Sequence, residues 1–84
     1  MGLKLEKMKE VEQQIRLLIK EYESRVIDCQ VLIDALKDKR RRQRAGENVN
    51  ITYETIKAER MKEDAKRQSY IQFISNLKEI LGEM

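Results

Sequence analysis

Six cations fall within eight residues of this chain, at Lys37, Lys39, Arg40, Arg41, Arg42 and Arg44. Guanidinium and ammonium groups at that density recognise phosphate or carboxylate, Arg through a planar fork of N–H donors and Lys as a compact point charge. The cluster therefore reads as a contact for nucleic-acid phosphate, for an acidic protein or for an anionic membrane surface. A purely structural expectation competes with these, because cations near a helix C-terminus interact favourably with the helix dipole and keep a turn solvated. The whole net charge of +3 traces to this stretch: residues 37–44 carry six basic side chains and one acidic, whereas the segments before and after each carry six basic and seven acidic.

Other reactive chemistry is scarce. Histidine is absent, Cys29 is the one cysteine, and no glycine-rich phosphate loop is present. Di-iron carboxylate bundles need Glu-x-x-His pairs and thiolate zinc sites need several cysteines, so neither a metal nor a cofactor is expected, and no enzymatic activity. Cys29 reads as a small core residue and Glu63-Asp64 as a solvated helix face. Tyr22, Tyr53, Tyr70 and Phe73 sit at helical spacings and read as seam residues; none interleaves with the basic cluster, so bases of a nucleic acid would lack a stacking platform.

These residues have to be positioned by helices. Proline is absent, and of three glycines only Gly46 is internal, which leaves one obvious place for the chain to turn. Steps of four and three residues from Met1 visit Leu5, Met8, Glu12, Ile15, Ile19, Tyr22, Val26, Cys29, Ile33, Leu36 and Arg40, a heptad seam interrupted only by Glu12 and Arg40. Val11, Leu18 and Leu32 occupy position g beside that seam, so the apolar stripe is wider than one partner helix requires. Gly46 supplies a helix stop, and Asn48, Asn50 or Thr52 a cap for the next helix.

The pattern predicts an all-α, coiled-coil-like antiparallel hairpin forming a single domain over residues 1–84. Its helices span about 3–44 and 51–81, with a turn at 45–50. Tyr70, Phe73, Ile74, Leu77, Ile80 and Leu81 give the second helix a strong stripe near its end, whereas Ala58, Met61 and Ala65 are all that its middle offers. Folding about the turn sets Tyr70 and Ile74 beside Tyr22 and Val26, and Met61 and Ala65 beside Ile33 and Cys29. The expected function is protein association: self-association into a helical bundle, or docking on a helical partner, as an adaptor, assembly factor or small chaperone. Its carriers are Leu5, Met8, Val11, Ile15, Leu18, Ile19, Tyr70, Ile74, Leu77 and Leu81. The alternative is a nucleic-acid-binding hairpin that uses residues 37–44. No segment approaches the roughly 20 apolar residues of a membrane span, and with no secretion signal recognised the chain reads as intracellular and cytoplasmic.

Overall fold

The computed structural model describes residues 2–83, with side chains from residue 6 onward; the side chain of Leu5 lies outside the described residues. Two helices account for almost all of it, α1 over Gly2–Arg44 and α2 over Tyr53–Glu83, and no strand occurs among the described residues. They pack side by side as an antiparallel hairpin, a rod 68 Å long and 14 Å across. At about 1.5 Å per residue the longer helix alone accounts for that length.

The turn is built from local hydrogen bonds. Gly46 adopts a left-handed φ of 87°, its N–H donates to the Gln43 carbonyl (3.0 Å), and the Glu47 N–H donates to the Arg42 carbonyl (3.0 Å). These two bonds form the Schellman stop that a glycine at this position makes available. Asn50 also takes a positive φ, 54°, and its N–H donates to the Asn48 Oδ1 at 3.2 Å, an Asx turn that Asn tolerates. Thr52 then caps α2 by accepting from the Thr55 N–H at 3.2 Å, which sets the first helical residue at Tyr53. The Gln43 amide donates to the Ile51 carbonyl and ties the loop back onto α1.

Residues equidistant from this turn meet across the hairpin. The Tyr22 ring lies 5.5 Å from Tyr70 and 4.6 Å from Phe73, and the Arg40 guanidinium lies 4.1 Å above the Tyr53 ring. On α1, every seam position from Glu12 to Arg40 is buried or half-buried. The α2 seam runs Ile56, Arg60, Glu63, Arg67, Tyr70, Ile74, Leu77 and Leu81, the same four-and-three stepping, with Arg60 as its one exposed member.

That register corrects two expectations in the middle of α2. Met61 is 64% exposed and Ala65 is also exposed, while Ile56 and Glu63 occupy the buried positions instead. Position in the heptad, not hydrophobicity, decides which side chain turns inward. Glu63, expected on a solvated face, is only 8% exposed. It pairs with Lys66 at 3.4 Å, and Arg67 pairs with Asp64 at 4.0 Å. Along α1 the exposed pairs Glu12–Arg16 (2.8 Å) and Glu21–Arg25 (2.9 Å) bridge successive turns, and the Glu21 carboxylate raises the pKa of Arg25.

Candidate interaction surfaces

Ile15, Ile19, Ile74 and Leu77 form one buried cluster, with Tyr22, Val26 and Leu81 packed against it. These side chains are spent on holding α1 to α2. Of the residues expected to meet a partner, Ile15, Ile19, Ile74 and Leu77 are therefore interior to the hairpin, while Tyr70 and Leu81 are half-buried in its seam. Met8, Val11 and Leu18 remain 48%, 44% and 38% exposed.

Exposed apolar residues lie along both edges of the hairpin, with more of them on the edge of the g positions. Arg25 and Leu32 of α1 line the same shallow groove as Lys66 of α2, which places the g positions of the two helices along a common side. Val11 and Leu18 share the α1 column with Arg25 and Leu32, and Phe73 and Ile80 follow Lys66 at seven-residue intervals on α2. Phe73 and Ile80 are themselves well exposed, and Leu17 and Val31 border the α1 column, both more than half exposed. The opposite edge carries an apolar depression formed by Val26, Ile27, Ile71 and Ile74 beside Glu23. A hairpin sufficient by itself would place polar side chains on both edges.

Nearer the turn the seam changes character. Ile33 and Ile56 are each 2% exposed, yet their neighbours along the seam include Cys29, Arg40, Glu63 and Arg67. Burial pushes the Cys29 thiol up in pKa, and the adjacent Glu63 carboxylate pushes it further. A thiol held protonated is a poor nucleophile. Among the described residues no three His, Cys, Asp or Glu side chains come together as metal ligands, and no helix is long and apolar enough to cross a membrane.

Against known proteins, the chain matches no family model, no curated protein and no solved structure.

The basic cluster is divided by the fold. Arg42 faces Asp38 at 3.2 Å and Glu47 at 3.8 Å, so its charge is locally matched. Lys37, Arg40, Arg41 and Arg44 instead line a groove together with Arg60 of α2, and an adjoining groove of about 350 Å³ adds Lys57 and Tyr53. Lys57, Arg60 and Tyr53 are absent from the sequence-derived cluster because a run of charges is counted along the chain, whereas the hairpin brings α2 alongside. The α2 register, extended back from Leu81 through Ile74 to Ile56, is the signal that finds Arg60. Tyr53, an exposed residue, also corrects the expectation that no aromatic enters the cluster: its ring lies beneath Arg40. Arg40 Nη1 is 3.5 Å from the Gln43 Oε1, and its Nε is shielded without a hydrogen-bond partner.

Proposed function

We propose that this protein is a non-enzymatic interaction module that self-associates through the apolar edge of its hairpin and serves as an adaptor or assembly factor. The observation that supports the reading is the edge formed by Val11 and Leu18 of α1 with Phe73 and Ile80 of α2, near the open end of the hairpin, which the fold leaves exposed. Two hairpins joined along it would form a four-helix bundle, in which g-position residues become interior. Charge selects the orientation of the copies. With the basic turns at opposite ends, two strongly positive tips stay far apart; a parallel arrangement would bring them together at a cost.

Sedimentation equilibrium of the purified 10.0 kDa chain at micromolar concentration tests this directly. The mass expected is a multiple of the monomer, and Leu18→Glu with Phe73→Glu lowers it toward one chain while the helical circular dichroism persists. A monomer mass for the unmodified protein removes self-association and assigns the same edge to a helix of a different protein.

A further inference from the structure

We propose that the turn end of the hairpin is a composite binding site for a run of adjacent phosphate groups, shared between Lys37, Arg41 and Arg44 of α1 and Lys57 and Arg60 of α2, with Arg40 between them. Two grooves that share Arg40, Arg44 and Arg60 bring these six cations to one side of the rod. None of the six takes part in an ion pair among the described residues, whereas Arg42, in the same sequence run, faces two carboxylates. The one acidic side chain lining either groove is Asp64, and it is engaged by Arg67 at 4.0 Å. Cations concentrated this way repel one another, and the arrangement is relieved by an anion of high charge density.

The site offers charge and N–H donors more than an aromatic platform, because Arg40 already covers the Tyr53 ring at 4.1 Å. That favours phosphate over a base as the recognised group. From Lys37 to Arg44 the α1 side of the site spans about 10 Å of helix, a footprint suited to phosphates linked directly or through a sugar. Carboxylates of an acidic peptide are singly charged and carried on flexible stems, and they give a lower charge density over the same length. The phosphates have two sources, a free polyphosphate or the backbone of a nucleic acid.

Fluorescence anisotropy with a labelled mixed-sequence single-stranded RNA, and calorimetry with inorganic tripolyphosphate and with poly-glutamate, both at about 50 mM salt where electrostatic binding is strong, test the site on the intact chain. Binding of either phosphate ligand is expected. Displacement of the RNA by tripolyphosphate points to a free polyphosphate, and RNA binding that tripolyphosphate does not displace points to the backbone. The fold-specific expectation concerns which cations matter. Lys57→Gln with Arg60→Gln should weaken binding at least as much as Arg41→Gln with Arg44→Gln, each lost contact flattening the RNA salt dependence by about 0.7 in log–log slope. Arg42→Gln should change affinity less than twofold. All five side chains are exposed, so helicity is retained in every variant. Failure of both phosphate ligands to bind overturns the proposal. So does poly-glutamate binding as tightly as tripolyphosphate, or Arg42→Gln weakening binding as much as Arg60→Gln.

Discussion

The half of the hairpin near its open end and the half near its turn bury their seams to similar extents with different chemistry. Near the open end, Ile15, Ile19, Tyr22 and Val26 meet Tyr70, Ile74, Leu77 and Leu81, so every layer is apolar or aromatic. Near the turn, Ile33 and Ile56 are the most deeply buried hydrophobic residues of the molecule, but Arg40, Glu63 and Arg67 occupy seam positions around them. The open-end half has more hydrophobic surface than one partner helix covers, and the surplus spills onto its edge. The turn half has less. It is held by Ile33, Leu36 and Ile56 together with the Schellman stop, the Thr52 cap, the Gln43 tie and the Arg40–Tyr53 stack, and it carries Glu63 buried and Arg40 and Arg67 half-buried within the seam. A rod of nearly uniform width thus divides into an end suited to apolar association and an end suited to anions.

The largest test of that contrast is a pair of truncations. Ile33→Ala should cost about 4–5 kcal/mol and Ile74→Ala about 2–3 kcal/mol, within the range for large-to-small core changes, because the neighbours of Ile74 can collapse into the space and the charged neighbours of Ile33 cannot. Urea unfolding of both variants measures the difference; equal losses would erase the distinction between the halves. A gain is expected next. Glu63→Leu should raise stability by about 1 kcal/mol, since replacing a buried carboxyl group with a hydrophobe of similar volume removes the cost of burying a polar group in the seam. A loss of stability would show that the Glu63–Lys66 pair contributes more than its burial costs.

The smallest effect concerns pH. Folding raises the Cys29 pKa, so the folded state holds the thiol proton more tightly than the unfolded chain does. The associated stability is fully present below the unfolded value of about 8.5 and is lost as pH rises through the folded value. Thermal melts between pH 8 and 10 should show that decline in the unmodified protein and a shallower one in Cys29→Ala. Identical slopes would show that burial beside Glu63 does not shift the ionisation of the thiol.

Much of this architecture is legible in the sequence because two signals agree, the unbroken stepping from Ile15 to Leu36 and the isolated Gly46. The middle of α2 is not, for a physical reason. A heptad read by hydrophobicity finds Met61 and Ala65, whereas the phase fixed by Tyr70, Ile74, Leu77 and Leu81 turns Glu63 inward and Met61 out. Polar seam residues carry no hydrophobic signal and emerge only when the register of the apolar end is carried backward. The basic cluster was visible as a run, but its division into a matched Arg42 and a shared groove with Lys57 and Arg60 depends on the pairing of the two helices. The apolar edge lies between these cases: Val11 and Leu18 follow from the α1 register, and their alignment with Phe73 and Ile80 follows from the antiparallel geometry that sets Tyr22 beside Phe73.

The salt dependence of the association separates the two ends of the molecule most directly. Burial of an apolar edge is maintained or strengthened as salt rises, and screening of the basic tips reinforces that trend, whereas an association made by charge weakens. Sedimentation equilibrium from about 50 mM to 1 M salt should give an oligomer whose dissociation constant holds steady or falls. An oligomer that dissolves toward the 10.0 kDa monomer as salt rises would contradict an apolar interface and move the association to the charged tip.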